Sequence, residues 1–162
     1  MSDRFGKYRG TVLDNHDPNA QGRVQVSVPA VSEDAAWALP CSPFAGPGVG
    51  LLSVPPVGAN VWVEYEGGDT EMPIWSGAFW AVGEAPQPAA GSAGAIVVLQ
   101  TQFCTLTLSD LEGTAGGLTI ERTDGARITL SANGIEVDTG RGASVKLEEA
   151  KVTINESALE VS

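Results

Sequence analysis

The chain has 162 residues, enough for one or two small domains, and its nine Lys and Arg against twenty Asp and Glu give a net charge of −11. The acidity is spread out, with four basic against ten acidic residues in 1–104, five against ten in 105–162, and no Lys or Arg between Arg23 and Arg122. Nucleic acids need neutralising cations, so composition argues against them as partners, and the longest aliphatic run, Ala95 to Leu99, is far short of the about 20 residues that span a bilayer.

The opening MSDRFGKYRG has no apolar stretch of the kind a signal peptide carries, so synthesis in the cytoplasm without a leader is expected. From Tyr8 to Asp14 the text alternates as a strand does, and NHDPNAQG follows with turn chemistry. RVQVSVP then sets Val24, Val26 and Val28 on one face and Arg23, Gln25 and Ser27 on the other. A shorter strand is expected at Trp37–Cys41, a glycine-dependent loop at FAGPGVG, and further strands at Asn60–Glu66 and Pro73–Trp80. Five or so short strands joined by Gly/Pro turns within about 80 residues predict a small closed barrel. EAPQPAAGSAG, residues 84–94, reads as a linker, which places a barrel at 1–83 and a second domain at 95–162. Cys41 and Cys104 are the only cysteines and are expected as buried thiols, packing as small hydrophobes.

After the linker, apolar pairs at i, i+2 recur: Leu106/Leu108, Leu118/Ile120, Ile128/Leu130, Ile135/Val137, Val145/Leu147, Val152/Ile154 and Leu159/Val161. Their second members lie 12, 10, 7, 10, 7 and 7 residues apart, an internal repeat. A self-contained parallel β-helix needs about 20 residues for each three-faced turn by the logic of stacked rungs, and here one face comes every 7–10. Three chains together supply a full turn. The repeat therefore predicts a trimer with interleaved strands, each chain giving one wall of a triangular prism whose axis is filled by the apolar pairs. The candidate axis-packing residues are Leu130, Val137, Leu147, Ile154 and Val161. An antiparallel meander of short hairpins packed on the barrel is the competing arrangement, favoured by the turn signals TDG at 123–125 and ANG at 132–134. The polar residues Thr129, Glu136, Lys146 and Thr153 between apolar partners, and Glu121 beside Ile120, leave each strand one buried face, two side chains wide, which suits a slender spike.

The segments GTVLDNHDPNAQGRVQVSVP, AGPGVG, PPVGANVWVEYEGGD and PIWSG, with Trp37 and Trp80, resemble the OB-fold module of baseplate spike proteins. These are the baseplate assembly protein V family of contractile-tailed phages and the valine-glycine repeat proteins of type VI secretion and related injection systems. The likeness rests on Asp17, Pro18, Gly22, Arg23, the glycines 46, 48 and 50, Pro56, Gly58, Gly68, Asp69, Pro73, Gly77 and Trp80 over residues 8–80. It implies an all-β protein, an OB-fold barrel followed by a triple-stranded β-helix in an intertwined homotrimer. In that family the barrels form a collar on baseplate hub proteins, and the β-helix is the needle that meets the target envelope. Nothing here resembles an inserted muramidase domain. No histidine follows His16, so the iron-binding His-x-His tip of some members is absent from this sequence. An open prism end exposes strand edges that proteins normally cover; a small tip protein resembling the PAAR-repeat family is expected there, on Leu159, Val161 and Ser162.

Other readings are weaker. An OB barrel that binds single strands or sugars interleaves cations with aromatics, but Trp62, Tyr65, Trp75, Phe79 and Trp80 sit among Glu64, Glu66, Asp69 and Glu71. Catalytic carboxylates need environments that split their pKa values; Glu64/Glu66, Asp69/Glu71 and Asp14/His16/Asp17 read instead as solvated edges and turns. DNHDPN lacks the oxygen order of a dedicated calcium loop. No catalytic residue, cofactor or metal ligand is assigned, and no nucleic acid is expected among the partners.

Overall fold

The structure, a computed structural model, describes residues 4–86, 94–113, 116–155 and 159–161. The chain divides into two compact units, residues 1–85 and 86–162. Strands dominate both, and the helical element of the first is a single 3₁₀ turn at Glu66–Gly68.

The first unit is a closed five-stranded barrel of β1 (Tyr8–Asp14), β2 (Val24–Ser27), β3 (Ala36–Pro40), β6 (Asn60–Tyr65) and β7 (Pro73–Phe79), in the order β1-β2-β3-β7-β6. All pairings are antiparallel except β3 with β7, where Leu39 lies beside Ile74. Alternation does what the sequence predicts: Val12, Val24, Val26, Val28, Ala38, Val61 and Val63 are buried together as the core. Burying each valine is worth about 1.5–3 kcal/mol, so this unit carries its own stabilisation. Gly10 makes the closure possible. A Cβ there would meet Val63 Cγ2 at 3.0 Å and the Ser27 carbonyl at 3.2 Å.

The turn between β1 and β2 is organised by Asp17. Its Oδ1 accepts from the Asn19 amide (3.0 Å) and from Arg23 Nε (3.0 Å) and Nη2 (2.7 Å); its Oδ2 accepts from the amides of Gln21 (2.7 Å) and Arg23 (3.2 Å). FAGPGVG is more ordered than a loop. Ala45–Gly46 (β4) and Val49–Gly50 (β5) pair as a two-stranded ribbon, because Gly48 turns at φ +72° and Gly50 brings its backbone against the Phe44 carbonyl.

The second unit is one sheet of eight strands: β8 (Ile96–Gln100), β9 (Cys104–Ser109), β10 (Gly117–Arg122), β11 (Arg127–Ser131), β12 (Gly134–Asp138), β13 (Ser144–Glu148), β14 (Lys151–Ile154) and β15 (Leu159–Val161). Each strand pairs antiparallel with its neighbour in sequence. The hairpin-by-hairpin pairing is thus that of a meander, and the sheet is continuous within one chain. Cys41 and Cys104 are exposed, not buried. Cys41 follows Pro40 where β3 ends and Cys104 opens β9, so neither reaches a core.

Candidate assembly surface

In a sheet, residues two apart share a face, and antiparallel register decides which of them line up across strands. Here register turns the apolar pairs into two unbroken columns. Val97, Leu108, Leu118, Leu130, Ile135, Leu147 and Val152 are successive cross-strand partners. Leu99, Leu106, Ile120, Ile128, Val137, Val145 and Ile154 form the second column beside them. The pairing runs on into β15, with Val161 opposite Val152 and Leu159 opposite Ile154.

The expected axis residues therefore fall on one face. They do not form a single line, because the meander reverses direction at each turn. Leu130 and Leu147 belong to the first column, Val137 and Ile154 to the second, and Val161 takes the register position that continues the first. Of the expected tip residues, Leu159 and Val161 lie in the end strand β15, and Ser162 is outside the described residues.

Among the described residues of the sheet, nothing covers this face. Val97 and Leu99 are 64 % and 63 % exposed, and Leu108, Ile120, Ile128, Leu130, Ile135, Val137 and Leu147 are each 41–48 % exposed. Among the described residues every buried hydrophobic side chain belongs to the barrel, and in the sheet only Thr153 is buried. Contiguous exposed apolar patches of this extent mark interaction surfaces.

The opposite face is polar and ionic. Lys146 meets Glu136 across β13 and β12 at 3.3 Å, and Arg127 meets Asp138 at 3.5 Å. At the hairpin tips Asp124 joins Arg122 (3.2 Å) and Arg141 (3.8 Å); the Arg122 hydrogen bond holds the Asp124 carboxyl below its ordinary value. Such half-exposed pairs each contribute little to stability. They mark this face as the ionic one.

A regularity that the pair-by-pair sequence reading missed is a unit of 17 residues, two strands long. Leu118, Ile135 and Val152 are the second residues of β10, β12 and β14 at that spacing, and Gly117 and Gly134 open the first two. Gly117 and Gly134 sit at φ +122° and +125°, and a Cβ would collide with the carbonyl oxygens of Leu130 and Leu147 respectively. The signal was present as glycines in step with the aliphatic residues.

The barrel's polar candidates are engaged in structure. Glu64 pairs with Lys7 at 3.2 Å, and hydrogen bonds from Ser76 and Lys7 lower its carboxyl, the opposite of what a general acid requires. Glu66 begins the 3₁₀ turn and Asp69 closes it, accepting from the Glu71 amide. Asp14 Oδ1 accepts from the His16 amide and lies 3.1 Å from its ring Nδ1, and both oxygens of Asp17 are taken by its turn and Arg23. Among the aromatics, Trp62 and Phe79 pair at 4.7 Å with the Arg9 guanidinium over both rings. Trp75 Nε1 donates to the Gly22 carbonyl, and Tyr65 packs edge-on to Tyr8. Arg9 was not legible as a neighbour of Trp62 before the β1–β6 register was known.

Residues 8–80 match the family model described as the type VI secretion system and phage-baseplate injector OB domain. Residues 96–160 match that of the phage baseplate V C-terminal trimerisation domain. The chain belongs to the phage baseplate V family. The two matches between them cover both units, and the second falls on the sheet with the uncovered apolar face. Baseplate V membership makes this a structural baseplate protein of an all-β, OB-barrel type. No curated protein matches the chain.

Proposed function

We propose that this baseplate V protein is a homotrimeric spike, in which three copies of the sheet set their apolar faces together around a threefold axis. The observation that carries the reading is the sheet without a core: two aliphatic columns that no described residue of the sheet covers. Each chain forms one wall of a triangular prism. Because the sheet is continuous within one chain, the walls meet through side chains, with Leu130, Val137, Leu147, Ile154 and Val161 and their pair partners filling the axis. The match to a trimerisation domain supports the number three.

In this reading the barrels form a collar seated on the hub proteins of a contractile tail or injection-system baseplate, and the prism is the needle that punctures the target envelope. Its distal end, at Leu159, Val161 and Ser162, carries a PAAR-like tip protein. The β15 edge supports this, since β15 ends the strand order among the described residues and an end strand offers backbone donors and acceptors to a partner. The mass of the full chain in solution, measured by light scattering, tests the core of the proposal; three chain masses are expected, and a monomer at micromolar concentration overturns it.

A further inference from the structure

Residues 35–63 carry no charged side chain, twenty-nine consecutive neutral positions in a chain that is 18 % charged. In their middle lies the β4–β5 ribbon, and its apolar side chains are in water: Phe44, Val49, Leu51 and Leu52, the last 77 % exposed. The ribbon is held in shape. Ser42 Oγ donates toward the Phe44 and Leu51 carbonyls, and the Leu51 amide donates to the Phe44 carbonyl at 2.9 Å. The same barrel also carries a cleft of about 450 Å³ lined by Arg9, Asn60, Phe79, Trp80 and Val82. Trp80 is 65 % exposed there, and the Arg9 guanidinium lies 5.3 Å from the Phe79 ring centre.

We infer that in the trimer, on whose existence this inference rests, the ribbon of each barrel seats in the Arg9–Trp80 cleft of the next. A cyclic trimer is built from heterologous contacts, so each copy must present two different and complementary patches. The barrel presents an apolar knob and an aromatic socket. Charge selects the occupant. Three acidic barrels held together by their sheets repel one another wherever charged surfaces meet, and the ribbon is the uncharged part of this surface. Phe44 suits a socket whose wall is an arginine stacked on aromatic rings, because a further ring adds to the cation–π arrangement. Tethering by the sheets raises the local concentration of barrels to the millimolar range, so a contact of modest area suffices.

The test uses full-length chains in which Cys41 and Cys104 are serine. One chain carries Phe44→Cys, a second, distinguishable by an affinity tag, carries Val82→Cys, and the two are expressed together and treated with a short bis-maleimide. Both positions are exposed, so folding is preserved. Covalent dimers containing one chain of each kind are expected, and neither variant alone should cross-link. Cross-linking of Phe44→Cys chains with each other overturns the inference, because ribbon then meets ribbon. A trimer by light scattering with no cross-link in any mixture also overturns it, and leaves the trimer standing. A monomeric mass removes the trimer and the contact together.

Discussion

Asp17 and Arg23 form the closest ion pair among the described residues, with Nη2 2.7 Å from Oδ1, and the carboxylate they share with three backbone amides is only 5 % exposed. One side chain thereby fixes both the turn and the residue that opens β2. The Arg23 guanidinium also lies over the Trp37 ring at 5.4 Å, tying the turn to β3.

The first prediction follows from that carboxylate. The Arg23 hydrogen bonds hold Asp17 far below its ordinary 3.8. A depressed folded-state pKa gives stability that is fully present above the unfolded value and fades as pH falls toward the folded one. Asp17→Ala is expected to lower the barrel's melting temperature by several degrees at pH 7. The gap from wild type should narrow steadily as pH drops from about 4 to 2. Thermal melts followed by tryptophan fluorescence check this; a gap that does not change with pH contradicts the assignment.

Leu147 lies between Ile135 and Val152 in the first aliphatic column. Leu147→Asp would place three carboxylates against the proposed axis, where desolvation of each charge costs several kcal/mol. Loss of the trimer is expected by light scattering. Lys146→Ala, one residue away on the ionic face, should leave the mass and melting nearly unchanged. Equal behaviour of the two variants would mean that the wrong face was assigned to the axis.

Two glycines in the sheet separate space from backbone conformation. Gly142 stands at φ +94° with nothing within 4 Å of a Cβ, whereas a Cβ on Gly134 would strike the Leu147 carbonyl. Gly142→Ala is expected to cost roughly 1–3 kcal/mol for strain alone, and Gly134→Ala more. Chemical denaturation of the two variants side by side measures the difference.

Limited proteolysis should cut first within residues 84–94, whose Pro, Ala, Gly and Ser composition packs poorly in any regular element. The product carrying the sheet should keep its trimeric mass and resist SDS better than the barrel does. Early cleavage between Ala126 and Ile154 would show that the apolar face is not covered in solution.

Deleting residues 157–162 removes β15 and the proposed seat of the tip protein. A folded trimer that no longer retains a PAAR-like protein is expected when full-length and shortened spikes are recovered from the native particle's lysate. Equal recovery of the tip protein by both forms would place its seat elsewhere.

The barrel was legible because the valines of β2 alternate: Val24, Val26 and, just beyond the strand, Val28 all lie in the core where the period of two puts them. The apolar pairs likewise announced the face they share. Side-chain period is a local property, and both inferences needed nothing else. Pairing is not local. Whether Leu130 faces Ile135 in its own chain or a strand of another chain depends on turn geometry, and the glycine positions at 117 and 134 hold that information only once the clash with a neighbouring carbonyl is visible. Arg9 over Trp62 was hidden for the same reason, since fifty-three residues of sequence separate two side chains that register brings together. The ribbon at 45–50 carries no strand signal in the sequence, because its strands are two residues long and leave no periodicity to detect.

The 17-residue unit makes the sheet a ruler. Each unit adds two strands, and strands lie about 4.8 Å apart, so one unit lengthens the wall by about 10 Å. An even number of strands restores the chain's direction, and with a repeating glycine and aliphatic pair it restores both columns as well. Excising residues 118–134 or duplicating them would shift the distal end by that step and leave every remaining side chain on its own face. The length of the proposed needle is thus a quantity that changes by insertion or loss of whole repeats, with both columns kept.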